Sequence, residues 1–225
     1  MTNQPVKPSP ALILLIISAV NTALVPAIAA TYGYNSLFLA LSAGAFVFQV
    51  VLTGLLWMHT ARSAAQPRPS THYIAFGLVI GLLWVVEIGI NNFIAPSLPA
   101  RDIIDDIFWA AVAAAILICA VVFAYRARRW WVGVLAGAWC GLASGAVACC
   151  TALLLIVFAM GFIDRDPLNV AEWSIRGPAS GAPGMTAYFA YETFLGAFLH
   201  LSVLGVVMGV LLGLIGGLIG RAIRR

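Results

Sequence analysis

Long apolar runs alternate with short polar breaks along the whole chain. A membrane span needs roughly 20 apolar residues to cross about 30 Å of hydrocarbon, and each run is about that long or longer. Because a backbone in lipid must pair its own polar groups, we expect every run to be an α-helix. The pattern predicts an all-α fold, a polytopic transmembrane bundle of about six helices in one domain. The predicted spans are residues 11–30, 36–58, 73–95, 103–125, 131–162 and 186–220.

The first span carries two features that affect its interpretation. Pro26 follows Asn21 by little more than one turn, and we expect it to break the helix there. Ala27 and Ala29, which flank Ile28 after Pro26, also fit the small-residue pattern of a signal-peptidase site, so residues 1–29 could be a cleaved signal peptide. An uncleaved first helix is the favoured interpretation, because a second span follows within a few residues.

The segment 163–185 separates the two longest spans and is the largest predicted extramembrane loop. Asp166 followed by Pro167 is typical of a helix start, with an N-cap and a proline at the first position. We expect a short helix on the membrane surface that reaches about Trp173. Glycine and proline then predict an irregular loop over residues 176–184.

Composition and charge agree with a membrane protein. Hydrophobic residues make up 63% of the chain and charged residues only 9%, whereas a soluble domain carries about 25% charged residues. The net charge of +4 is assigned to lysine and arginine flanking the spans, so no nucleic-acid partner is expected. The lipid bilayer is the expected partner, and the four cysteines show no ligand spacing that predicts a metal or a cofactor.

The basic residues predict the orientation, because lysine and arginine accumulate in cytoplasmic loops. When the loops are numbered alternately, nine basic residues fall on one side and three on the other. This bias predicts a plasma membrane protein of the bacterial inner-membrane type, with both termini in the cytoplasm. The nine are Lys7, Arg62, Arg68, Arg126, Arg128, Arg129, Arg221, Arg224 and Arg225, and the three are Arg101, Arg165 and Arg176.

Glycine recurs at every fourth position in the fifth and sixth spans. Such spacing places the glycines on one helix face, where two backbones can approach closely. We expect these faces to pack either against each other or against a second copy or another membrane subunit. The residues are Gly133, Gly137, Gly141 and Gly145 in the fifth span and Gly205, Gly209, Gly213 and Gly217 in the sixth.

Polar side chains at membrane depth are the candidate functional residues, because burying a charge in lipid is costly. Glu87 is the deepest acid, and Asn91 follows one turn later on the same face. With alternating helix directions, the acids of the third, fourth and sixth spans lie in the same half of the membrane. The candidates for an ion or proton relay are Glu87, Asn91, His200, Glu192, Asp106 and Asn21.

Three functions remain open from these residues. The favoured one is a small proton- or cation-linked transporter or channel-like protein that uses the buried carboxylate. The alternative is a non-catalytic membrane subunit or scaffold that packs through its glycine faces. A remote third is an intramembrane hydrolase, in which Ser144 and His200 would form a nucleophile and base. An enzyme is the less favoured class, because no catalytic motif is present.

Overall fold

The computed structural model describes residues 9–65 and 69–223, and these residues are helical apart from short connections. The predicted all-α fold is therefore confirmed for this part of the chain, and it contains six helices long and apolar enough to span a membrane. The helices are α1 Pro10–Tyr32, α2 Ser36–Ala65, α3 Ser70–Gly89, α4 Ala100–Ala127, α5 Trp130–Phe158, α6 Met160–Ile163, α7 Pro167–Ser180, α8 Met185–Leu199 and α9 Gly209–Ile223.

Two spans contain wider, π-helical turns. The third continues from α3 through a π-helical segment at Ile90–Ile94. The sixth runs without a break through α8, a π-helical segment at His200–Met208, and α9. Its 39 residues far exceed the roughly 20 that a span requires, so this helix projects beyond the hydrocarbon.

Three local predictions are corrected by the structure. The helix does not break at Pro26, which lies inside continuous α1; membrane helices tolerate proline where neighbouring groups satisfy the freed carbonyl. The fifth span ends at Phe158 rather than 162. Asp166 does cap α7 by accepting from the amide of Leu168, but the helix continues through Pro178 to Ser180, leaving 181–184 as the connection.

The fifth span, α5, is the central helix of the bundle. It packs against α1, α3, α4 and the sixth span, and 61% of its most apolar window is buried, against 17% for α2. The second span packs mainly on α1 and presents the rest of its surface outward. Because the core lies around one helix, the side chains of α5 set how closely the other spans approach.

The glycine rows of α5 and the sixth span face each other along the bundle. A Cβ added to Gly137 would lie 2.5 Å from the Cα of Gly213, and one added to Gly133 would lie 2.5 Å from the Cα of Gly217. At the other end of the row, a Cβ on Gly145 would lie 2.8 Å from the carbonyl oxygen of His200. The two backbones are in direct contact over this length, with no room for a side chain.

The helices alternate in direction, which gives the bundle two distinct ends. We call the end with α7 the α7 end and the opposite one the Arg126 end. Among the described residues the Arg126 end carries five arginines, and which end faces the cytoplasm stays a prediction. Those arginines are Arg62, Arg126, Arg128, Arg129 and Arg221, whereas Lys7, Arg68, Arg224 and Arg225 lie outside the described residues.

A single added methyl group tests the contact between the glycine rows. Gly137→Ala should lower the free energy of unfolding by about 1–3 kcal/mol, because the methyl forces two backbones apart. Gly44→Ala is the matched control, since nothing lies within 4 Å of a Cβ at that position. Unfolding in mixed micelles with increasing sodium dodecyl sulfate, followed by circular dichroism, measures both; equal stability of the two variants contradicts the close packing.

Candidate functional site

Three polar side chains meet near the α7 end of the bundle, between the third and fourth spans. The amide nitrogen of Asn91 donates to Oε1 of Glu87 at 2.8 Å and to Oδ1 of Asp105 at 2.6 Å. Glu87 and Asn91 lie four residues apart, so they share a helix face. We call Glu87, Asn91 and Asp105 the carboxylate cluster. Two carboxyl groups from different helices therefore share one donor atom.

The carboxylate cluster contains more acceptors than donors. Oε2 of Glu87 and Oδ1 of Asn91 are buried and have no hydrogen-bond partner among residues 9–65 and 69–223. Glu87 itself is only 7% exposed. Two ionised carboxylates this close repel each other, and a nearby low-dielectric medium strengthens that repulsion. A proton shared between them, or a bound cation, would remove the repulsion and satisfy a free acceptor.

The depth of the cluster follows from helix geometry. Glu87 precedes the end of its helix at Ile94 by seven residues, or about 10 Å along the axis. Asp105 lies a similar short distance inside the start of α4 at Ala100. The cluster thus sits within the span but near its α7 end, where protons and ions from the adjacent water need to travel only about two helical turns.

An ion pair beside the carboxylate cluster attaches α7 to the bundle. Arg101 donates to the backbone oxygen of Asn91 at 3.2 Å and forms a 2.8 Å ion pair with Asp166. Asp166 also caps α7 by accepting from Leu168 at 3.0 Å. This arginine therefore joins the end of the third span, the start of the fourth and the start of the surface helix. A movement of α7 would be transmitted directly to the backbone of Asn91.

His200 lies apart from the carboxylate cluster. Its ring packs against Trp84 and Trp109, with centroid distances of 4.9 and 5.9 Å, and the two indoles also contact each other. Its Nδ1 lies 2.8 Å from the carbonyl oxygen of Gly196 on its own helix. Because Trp84 precedes Glu87 by nearly one turn, the imidazole lies deeper in the membrane than the carboxyl group. No hydrogen bond joins His200 to Glu87 in the part of the chain that the structure describes.

Asp106 and Glu192 also lie outside the carboxylate cluster. Asp106 is exposed although its neighbour Asp105 joins the cluster, because adjacent helical residues point about 100° apart. Glu192 is exposed on α8, where Glu172 and Arg176 of α7 are its charged neighbours. Sequence reasoning named Asp106 as the relay candidate, whereas the structure places its neighbour Asp105 in the carboxylate cluster.

Asn21 is fully buried in a second polar region, between the first, second and fifth spans. It donates to the carbonyl oxygen of Ala146 at 3.2 Å, and its own Oδ1 has no partner. One turn away, Ser18 contacts Thr53 at 2.8 Å and Gln49 at 3.5 Å. We call Ser18, Thr22, Gln49 and Thr53 the hydroxyl–amide cluster.

Sequence reasoning missed the hydroxyl–amide cluster, although Gln49 offered a signal. It is a buried amide in the middle of the second span, a position where a polar side chain needs a partner. The hydroxyl groups gave no such signal, since serine and threonine can bond to their own helix, as Thr22 does to Ser18. Their convergence depends on the crossing of α1 and α2.

The hydroxyl of Ser144 and the imidazole of His200 do not form a dyad. Ser144 donates to Gly141 on its own helix at 3.1 Å, while His200 contacts Gly196. Both side chains are thus occupied locally, even though Gly145 and the backbone of His200 are in contact. The geometry gives the serine no general base.

Comparisons of this chain with protein-family models, with curated proteins and with solved structures found no match. Its function therefore has to be argued from the carboxylate cluster and the multi-pass membrane architecture alone.

Proposed function

We propose that this multi-pass membrane protein is a small proton- or cation-linked transporter that binds its ion at the carboxylate cluster. The observation that supports the proposal is the sharing of one Asn91 amide nitrogen by the carboxyl groups of Glu87 and Asp105. Oxygen ligands from two carboxylates suit a proton or a hard cation. Asn91 holds both groups in place while leaving oxygen atoms available to the ion.

The unpaired acceptors of the carboxylate cluster support ion binding over a purely structural role. A structural polar contact in a membrane is most stable when every donor and acceptor is paired. Here a carboxylate oxygen and an amide oxygen remain unpaired in buried positions. The role as a non-catalytic subunit explains the close helix packing but offers no account of these unpaired acceptors, so transport is the better-supported function.

The proposed orientation places both termini and the Arg126 end in the cytoplasm of a plasma membrane. The arginines of that end support this assignment, because cytoplasmic loops retain lysine and arginine. The carboxylate cluster would then lie near the outer face. Ions would enter from outside and reach Glu87 before crossing the central part of the bundle.

Removing the charge of Glu87 tests the ion site. Glu87→Gln should reduce proton or sodium flux into proteoliposomes to the level of empty vesicles, because the amide cannot bind and release an ion. Asp106→Asn is the matched control, since Asp106 is exposed beside the cluster. A pH-sensitive dye and a sodium-sensitive dye inside the vesicles measure the two ions separately. Wild-type flux of both ions in Glu87→Gln refutes the relay.

Removing the shared donor tests the geometry of the carboxylate cluster. Asn91→Ala should lower the free energy of unfolding by about 1–3 kcal/mol at neutral pH, because both carboxyl groups lose the amide donor that they share. Asn92→Ala is the control, since Asn92 donates only to the carbonyl oxygen of Ile88 on its own helix. Thermal unfolding in detergent micelles compares the stability of the two variants. A loss of stability in Asn92→Ala as large as in Asn91→Ala argues against the shared hydrogen bonds of the carboxylate cluster.

A further inference from the structure

Opposite charges are separated between the two ends of the bundle. All eight aspartate and glutamate residues of the chain lie in its α7 half. Five arginines of the described chain lie at the Arg126 end, where the described residues include no carboxylate side chain. The field at the Arg126 end is therefore positive and attracts anions. The acidic residues are Glu87, Asp102, Asp105, Asp106, Asp164, Asp166, Glu172 and Glu192.

A cavity of about 630 Å³ opens at this positive end. It lies among the end of α2, the start of α3, the end of α4 and the start of α5. Its volume falls within the range of about 300–1,000 Å³ that is typical of small-molecule sites. From the start of α5 at Trp130 the lining reaches inward to Trp139, a depth of about 13 Å. The cavity therefore extends from the membrane boundary into the hydrocarbon region.

The lining of the cavity changes from polar to apolar. Arg126 and Ser70 contribute its charged and polar groups near the helix ends, and His59 lies 3.2 Å from the hydroxyl of Ser70. Phe123, Leu135 and Trp139 contribute apolar surface, and the His59 ring stacks on Trp139 with a centroid distance of 4.8 Å. An occupant with a polar anionic group at one end and hydrocarbon at the other matches this arrangement.

The charged groups favour a phosphate. A guanidinium has five N–H donors, so Arg126 can retain its contacts within the protein and still donate to a phosphate oxygen. Arg128 and Arg129 follow immediately and add to the local positive charge. Basic pockets between membrane helices bind anionic lipid headgroups by the same combination of charge and apolar walls.

We propose that this cavity is a binding site for an anionic phospholipid, with the headgroup phosphate at Arg126 and the start of an acyl chain along Phe123, Leu135 and Trp139. The site lies at the end of the bundle opposite the carboxylate cluster and is independent of it. A lipid bound there bridges the ends of α2, α4 and the starts of α3 and α5, so it stabilises the fold.

Thermal unfolding of the full chain in detergent tests the site with defined lipids. Dioleoyl phosphatidylglycerol should raise the Tm by several degrees, whereas dioleoyl phosphatidylcholine, which has the same chains, should have little effect. Arg126→Gln should weaken the binding of phosphatidylglycerol about tenfold, because the phosphate loses a charged donor. Arg128→Gln is the matched comparison, because Arg128 carries the same charge but lies outside the cavity lining. It measures the effect of net charge alone, and its loss of binding should be clearly smaller than that of Arg126→Gln.

A second variant decides the question where Arg126→Gln does not fold. Leu135→Trp keeps every charge but fills part of the cavity, and it should abolish the rise in Tm caused by phosphatidylglycerol. An undiminished rise in Leu135→Trp, or equal losses in Arg126→Gln and Arg128→Gln, overturns the proposal. So does an equal rise with inorganic phosphate, which would show that the site takes the free anion rather than a lipid.

Discussion

The close approach of α5 to the sixth span is the contact on which the rest of the bundle depends. Lipid tails are as apolar as leucine, so helices in a membrane gain little from burying hydrocarbon and must associate through van der Waals contact. Glycine rows allow that contact over the length of two helices, from Gly133 against Gly217 to Gly145 against His200. The same principle operates where Gly77 and Gly81 of α3 approach Cys140 and Val147 of α5.

A bundle held by backbone contact around a central helix leaves its polar side chains in two separate places. The hydroxyl–amide cluster joins α1 and α2 near mid-membrane, and Asn21 beside it donates to Ala146 of α5. Within this described group of five side chains, the unpaired acceptor is Oδ1 of Asn21. The carboxylate cluster joins the third and fourth spans near the α7 end and keeps unpaired acceptors. The carboxylate cluster therefore differs from the hydroxyl–amide cluster in that one of its unpaired acceptors belongs to a carboxyl group.

The fold was largely predictable from the sequence because spans are long and their apolar content is unambiguous. Of the site, the pair Glu87 and Asn91 was predictable too, since four residues separate them on one helix. The choice between Asp105 and Asp106 was not, because it depends on how α4 is rotated about its axis. The position of His200 was equally inaccessible: depth places it near the other polar groups, but only the packing shows Trp84 and Trp109 around its ring.

The two ends of the bundle carry opposite charges. All eight acids of the chain lie in its α7 half, so the α7 end has a negative field that attracts cations. Arg101 is a cation at the same end, but its guanidinium forms its ion pair with Asp166 rather than with Glu87 or Asp105. The opposite end attracts anions and meets the membrane surface through its arginines.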